Sequence, residues 1–147
     1  MEDSTKMRTW MHPVKEVHLG ARFGVIDALH PNGHRGDDYN GFKKGENLLA
    51  VSNGKIVLNQ WSDALGNVVV LRVGLLYFGY CHMDKPSTRK VGEVVAMGDV
   101  VGHAGNTGSA SVGVHLHLTM GWSKTAVFAG KVASAYIYIQ KKIKAKA

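Results

Sequence analysis

Two histidines separated by a single leucine are the first candidates for chemistry. They are His115 and His117, within an alternating segment over 114–120. In a β-strand, residues two positions apart point to the same face, so both imidazoles would lie side by side while Leu116 and Leu118 face the core. Adjacent imidazoles suit a metal site, or one metal ligand beside one catalytic group. The spacing also fits two exposed histidines on a polar strand face.

A glycine-rich segment nearer the N-terminus adds another histidine and two carboxylates. It contains His34, Asp37 and Asp38. Zinc binds imidazole nitrogen and carboxylate oxygen, and a catalytic zinc site uses three protein ligands with a fourth position open for water. One histidine and one aspartate from this segment, with one more histidine, would complete such a set. Taken alone, Asp-Asp in a glycine-rich loop also fits a turn. Asp37 is a candidate for contact with the metal ligands, but we predict that it is a solvated loop residue.

His82 lies at the end of an apolar run that begins at Leu75. Alternation along a strand places Tyr80 and His82 on one face and Cys81 on the other. Cys81 and His82 would then be unable to form a nucleophile and base pair, and we interpret Cys81 as a small buried hydrophobic residue. His82 by itself fits a structural histidine as well as a catalytic one.

The elements that must position these residues are short strands. The 147 residues fit one domain, and 18 glycines with only three prolines indicate many tight turns. The single cysteine excludes an intrachain disulfide. We predict a mainly β fold, a single antiparallel β-sheet domain, with a short helix over 133–143. The strand-like runs cover 47–52, 55–61, 67–73, 75–82, 92–95, 100–103 and 114–120.

The net charge of +7 comes largely from the C-terminal end. Its lysines are Lys141, Lys142, Lys144 and Lys146. A basic surface favours an anionic polymer, such as nucleic acid or a cell-wall glycopolymer, or serves only solubility. No zinc-finger spacing or aromatic-rich strand motif supports nucleic acid, so no such partner is expected. No apolar run approaches the ~18 residues of a membrane helix, and we expect no membrane insertion.

Taken in chain order, these motifs resemble the lysostaphin-type (LytM-like, M23) zinc metallopeptidases, which cut peptide bonds in bacterial peptidoglycan. The resemblance covers about residues 18 to 120. His34-x-Gly36-x-Asp38 is similar to the family's HxGxD motif, Tyr80-Cys81-His82-Met83 to its YAHL motif and His115-Leu116-His117-Leu118 to its HLHF motif. Gly66-Asn67-Val68-Val69 and Gly105-Asn106-Thr107-Gly108 resemble glycine motifs that lie between them.

The resemblance implies roles for five of these residues. His34, Asp38 and His117 would bind one zinc ion, and His82 and His115 would be the catalytic histidines. The family fold is an antiparallel sheet with a β-sandwich-like core and a metal groove bounded by loops. His115 is the better candidate for the general base and His82 for oxyanion stabilisation or protonation of the leaving amine, although the two roles are interchangeable at this level.

The implied function is that of a zinc-dependent endopeptidase, a hydrolase of peptide bonds in peptidoglycan, with peptidoglycan as its partner. The polar start lacks the apolar centre of a signal peptide. We therefore expect a phage lysin that stays in the host cytoplasm before release and acts at the cell wall. Its oligomeric state is open, with a monomer favoured. The alternative is a catalytically inactive peptidoglycan-binding or regulatory module of the same fold.

Three parts of the chain are expected. Residues 1–17 form an N-terminal segment, 18–122 the metallopeptidase domain, and 123–147 a C-terminal extension with a basic tail. The stretch between Gly108 and His115 is longer than the family's usual form and has Gly-Val in place of Gly-Pro. Because this stretch borders the groove in the family, we expect it to affect substrate preference.

Overall fold

The computed structural model describes residues 9–146, with side chains through residue 145. The acidic and polar start of the chain, residues 1–8, lies outside the described residues. Antiparallel strands dominate the fold, which confirms the predicted mainly β class. The elements are β1 Asp37–Tyr39, β2 Asn47–Leu49, β3 Gly54–Ser62, β4 Gly66–Val73, β5 Leu76–Met83, β6 Val94–Val95, β7 Val100–His103, β8 Leu116–Gly121, β9 Val132–Ala133 and the helix α1 Ala135–Lys146.

One seven-stranded antiparallel sheet carries the site. Its strands follow the order β1-β8-β5-β4-β3-β6, with β9 added to β8, while β2 and β7 form a separate two-stranded sheet. Strand β4 is nearly continuous in apolar residues and is buried along almost its whole length. Such a strand needs cover on both faces, which explains its place in the middle of the sheet.

The two faces of the sheet bury different apolar clusters. Val69 and Leu71 of β4 belong to the larger cluster, whereas Val68 and Val70 belong to the smaller one on the opposite face. This split follows from the two-residue period of a strand. The small sheet adds Leu48 to the larger cluster. Burying a large aliphatic or aromatic side chain contributes about 1.5–3 kcal/mol, so these clusters hold the sheet in a defined register.

The two terminal segments pack against the larger cluster. Val14 is buried, and Ala135 and Ile139 of α1 are fully buried in the same core. The helix begins after Ser134, whose hydroxyl accepts the Ile137 amide at 3.1 Å, as an N-cap side chain does. The predicted helix is confirmed and is longer at its C-terminal end. The exact domain boundaries stay a prediction.

Strand β1 is the main departure from the predicted elements. The segment around Asp37–Tyr39 reads as turn-rich, yet it pairs with β8 at the edge of the sheet. Only three residues long, it has too little periodicity to be recognised locally. No helix in the described part of the chain has the length and apolar character needed to cross a membrane.

Candidate metal and catalytic site

The pairing of β1 with β8 brings two of the predicted metal ligands together. Asp38 lies directly opposite His117 in the antiparallel register. Directly opposed residues project to the same face, and His117 Nδ1 lies 3.1 Å from Asp38 Oδ1. The neighbouring residues Tyr39 and Leu116 point into the core, where both are fully buried. The predicted core positions Leu116 and Leu118 are confirmed.

His34, in the loop before β1, completes the group. Its Nε2 lies 2.9 Å from His117 Nδ1 and 3.3 Å from Asp38 Oδ1. Four-coordinate zinc has ligand bonds of about 2.0–2.2 Å, which places its donor atoms roughly 3.3 Å apart. The three donor atoms are thus already close to the separation that a zinc ion requires, and two imidazoles with one carboxylate form a donor set typical of zinc. The residues present fit that ion.

Two local features hold this arrangement. The Nδ1–H of His34 donates to the carbonyl oxygen of Arg22 at 3.3 Å, which leaves Nε2 for the metal position. Gly36 allows the loop to pass close to the ligand, because a Cβ on it would lie 2.8 Å from the His117 ring and 2.7 Å from the carbonyl oxygen of Leu118. Any larger residue at position 36 would push the ring out of place.

The electrostatics of Asp38 and His117 match those of metal ligands, whereas those of His34 favour its protonated form. Burial acts to raise the pKa of Asp38, but hydrogen bonds from His117 and His34 outweigh it and hold that pKa well below its usual range. Burial lowers the pKa of His117. For His34, burial opposes protonation, yet the hydrogen bond and charge of Asp38 raise its pKa. The carboxylate is ionised and His117 is neutral at about pH 7, which are the forms that bind a metal.

His82 reaches the site through a β-bulge. In the pairing of β4 with β5, the two residues Cys81 and His82 lie opposite Val68 alone. His82 has φ of 61°, the only positive value for a non-glycine residue among residues 9–146. Its ring centroid lies 4.8 Å from that of His115 and 6.1 Å from that of His117. The prediction that Cys81 and His82 face opposite sides is therefore wrong, because strand alternation is interrupted between them.

Cys81 itself behaves as predicted. It is fully buried in the smaller apolar cluster beside Val70 and Val127. Burial raises the pKa of its thiol strongly, so the thiolate needed for nucleophilic attack is not formed near neutral pH. The interpretation of Cys81 as a small buried hydrophobic residue is confirmed.

His82 and His115 share one hydrogen-bonding arrangement. The Nδ1–H of His82 donates to the Thr107 carbonyl at 2.7 Å, and that of His115 donates to the Gly113 carbonyl at 2.8 Å. With Nδ1–H engaged in this way, Nε2 of each ring is the atom that can hold a lone pair. Burial lowers the pKa of His82 to about 4, so this ring is neutral near pH 7. The Nε2 of His115 lies 3.8 Å from Asp38 Oδ1, next to the metal position.

A groove of about 670 Å³ opens over these five residues. Among the described residues, the charged groups that line it are Arg35 and Asp38, and the Arg35 guanidinium is occupied by the carbonyls of Ala126 and Gly130. The rims are aliphatic, with Leu29 63% and Val112 76% exposed. Apart from the histidines, the other lining residues carry no titratable side chain.

Two further residues, His30 and Asp37, lie close to the predicted ligands. His30 has its ring centroid 4.1 Å from that of His34 and its Nδ1 2.8 Å from Asp27 Oδ1. Asp37, predicted to be solvated, is fully buried, so that prediction is wrong. Its neighbours come from distant segments, among them Ser134 at 2.7 Å, and no local pattern indicates them.

Comparison with known proteins identifies the family to which most of the chain is similar. Residues 32–136 match the family described as peptidase family M23. An uncharacterized metalloprotease of Buchnera aphidicola subsp. Baizongia pistaciae is 30% identical over 112 residues, which make up 76% of this chain and 29% of that protein. This chain therefore spans less than a third of the length of that relative.

Two solved structures of similar size share the fold. The catalytic domain of the antimicrobial peptidase lysostaphin from Staphylococcus simulans is 27% identical, with a TM-score of 0.71, over 84% of this chain and 92% of that one. A mutant of the catalytic domain of EnpA, a prophage-encoded M23 protein from Enterococcus faecalis, is 25% identical with the same TM-score and the same two coverages. The resemblance seen in the motifs is confirmed over most of the described fold, and the chain belongs to peptidase family M23.

Proposed function

We propose that this protein is a zinc-dependent endopeptidase that hydrolyses peptide bonds in bacterial peptidoglycan. His34, Asp38 and His117 hold the zinc, and His82 and His115 are the catalytic histidines. The observation that carries this proposal is the convergence of three ligand atoms 2.9–3.3 Å apart beneath an open groove, with both further histidines alongside. A structural zinc site would have four protein ligands and no access for substrate.

The metal and His115 have different roles in the proposed hydrolysis. When bound, zinc supplies Lewis-acid polarisation of the scissile carbonyl and activation of water. His115 accepts the proton of the attacking water through Nε2, because burial makes protonation of His82 unfavourable. His115 can then return that proton to the leaving amine.

His82 orients the reactants. With Nδ1–H engaged by Thr107, its neutral ring offers an Nε2 lone pair that accepts a hydrogen bond from the water or a substrate N–H. It has no Nε2 proton to offer an oxyanion until the ring is protonated. In the neutral state, therefore, the geometry favours His82 as a hydrogen-bond acceptor over its predicted role as an oxyanion donor.

The choice of peptidoglycan rests on the family resemblance and on the relatives. One relative with a similar domain is an antimicrobial peptidase, and another is prophage-encoded. These support a lytic enzyme, and the prophage relative supports a role in lysis of a phage host. The groove is lined mainly by uncharged residues and fits an extended bridge or stem peptide.

Digestion of purified peptidoglycans of different cross-link chemistry, with mass spectrometry of the released peptides, tests the proposal. His117→Ala should lose both bound zinc and lysis, whereas His115→Ala should keep one zinc per chain and lose lysis. His103→Ala, a change at an exposed histidine of β7, is the matched control and should keep both. Normal lysis by His115→Ala would refute its catalytic assignment, and wall binding without peptide release by the unmodified protein would indicate an inactive binding module.

A further inference from the structure

Asp37 is a fully buried carboxylate beside the metal site that the proposed chemistry leaves unused. It is adjacent to the ligand Asp38 in β1, and strand alternation directs it to the other face. Its Oδ1 accepts the Phe23 amide at 2.8 Å, and its Oδ2 accepts the Ser134 hydroxyl at 2.7 Å and the Tyr136 amide at 3.1 Å. One carboxylate thus joins the loop that precedes the ligands to the start of α1.

The hydrogen bond between Asp37 and Phe23 is connected to the predicted ligand His34 through a single peptide group. The N–H of Phe23 and the C=O of Arg22 belong to the same peptide group, and that C=O accepts the Nδ1–H of His34 at 3.3 Å. A peptide group is a rigid plane, so fixing its N–H also fixes the direction of its carbonyl. Hydrogen bonds in such a chain also polarise one another. The order of contacts is therefore Asp37, the Arg22–Phe23 peptide, and the His34 ring.

We propose that Asp37 is a positioning residue for the metal centre, which orients His34 through the Arg22–Phe23 peptide, and that α1 holds Asp37 in place through Ser134 and Tyr136. The inference rests on the proposed metal-binding function. A metal-bound histidine commonly donates its second N–H to a carbonyl or carboxylate, and loss of such a partner lowers metal affinity by about 10–100-fold. Here a peptide group lies between the carboxylate and the histidine.

A competing explanation is that Asp37 only anchors the C-terminal helix. The helix has a second polar contact that involves neither Asp37 nor a predicted ligand, because His12 Nε2 lies 2.7 Å from Gln140 Oε1. Loss of that contact should loosen the helix without touching the Arg22–Phe23 peptide. Gln140→Ala is therefore a matched control that separates helix docking from ligand positioning.

The test compares the unmodified 147-residue chain with Asp37→Asn, Asp37→Ala, Ser134→Ala and Gln140→Ala. Zinc affinity is measured by competition with a chromophoric chelator, cobalt binding by its visible absorption spectrum, and folding by thermal unfolding of the metal-free protein. Asp37→Ala should weaken zinc binding by about 10–100-fold and shift the cobalt bands. Ser134→Ala should show a smaller loss, and Gln140→Ala should lower the melting temperature with zinc affinity and cobalt spectrum unchanged.

Asp37→Asn keeps the shape but has a single acceptor oxygen, which cannot serve both the Phe23 amide and the two donors at the start of α1. It breaks the connection on one side and preserves the test if Asp37→Ala does not fold. The proposal is overturned if folded Asp37→Asn binds zinc with the original affinity and cobalt spectrum. It is equally overturned if Gln140→Ala weakens zinc binding as much as the Asp37 variants do. Failure of the unmodified protein to bind zinc would instead refute the proposed function on which the inference rests.

Discussion

Replacement of Gly66 by alanine should damage both stability and catalysis, because this residue lies against the segment that positions His82. Gly66 has φ of 71°, and a Cβ there would collide with the Thr107 hydroxyl and lie 2.6 Å from the Thr107 carbonyl. Thr107 has little room to move, since its hydroxyl donates to Met83 O at 2.7 Å and accepts the Asn67 amide at 3.2 Å. Its carbonyl accepts the Nδ1–H of His82.

The loss of stability in Gly66→Ala has two separable parts. A left-handed conformation costs a non-glycine residue about 1–2 kcal/mol, and overpacking costs about 1–3 kcal/mol more. Gly92→Ala is the matched control, because Gly92 has φ of 96° with nothing within 4 Å of its added Cβ. Both variants share the conformational cost, so urea unfolding should place Gly66→Ala about 1–3 kcal/mol below Gly92→Ala.

Turnover should also differ between Gly66→Ala and Gly92→Ala. A displaced Thr107 carbonyl moves the His82 ring, and misplacement of a catalytic group by about 1 Å can reduce turnover roughly 100-fold. Turnover of peptidoglycan fragments should therefore fall in Gly66→Ala and stay unchanged in Gly92→Ala. Equal unfolding midpoints and equal turnover for the two variants would refute the reasoning that Gly66 packing fixes His82.

Three further predictions concern stability. Tyr80→Phe should cost about 1–3 kcal/mol in urea unfolding, because the buried Leu49 carbonyl and Val51 amide lose the Tyr80 hydroxyl; an unchanged midpoint would contradict this. The pKa of His82 in the folded protein is about 4, below its ordinary 6.5. As the pH falls, His82 therefore takes up a proton in the unfolded chain before it does so in the folded protein. This difference should remove about 2 kcal/mol from the free energy of unfolding between about pH 7 and about pH 5. His82→Gln should lose correspondingly less over the same interval, and identical pH dependence would argue against the lowered pKa. Saturation with zinc to about a hundred times its dissociation constant should add about 2.7 kcal/mol, removable by a chelator, and no change in melting temperature would count against the metal site.

Several parts of the fold were predictable because their signals are local. The valine-rich run over 67–73 corresponds to β4 Gly66–Val73, and the alternation around His117 correctly placed Leu116 and Leu118 in the core. A buried apolar run and a two-residue period depend only on neighbouring residues. The order of the three histidine motifs was likewise readable along the chain, and it pointed to the family that the comparison confirmed.

The amino-acid sequence by itself determined the kind of fold, the family and the residue types available for a metal site. Tertiary structure alone decided how these residues meet. His34 and His117 are 83 positions apart, and Ser134 is 97 positions from Asp37. Their contacts depend on the β1–β8 register and on the docking of α1. The direction of His82 depends on a bulge, which is visible only in the pairing of two strands. Such features arise from long-range packing, where many buried contacts act together to select one register, and no short window of sequence contains that information.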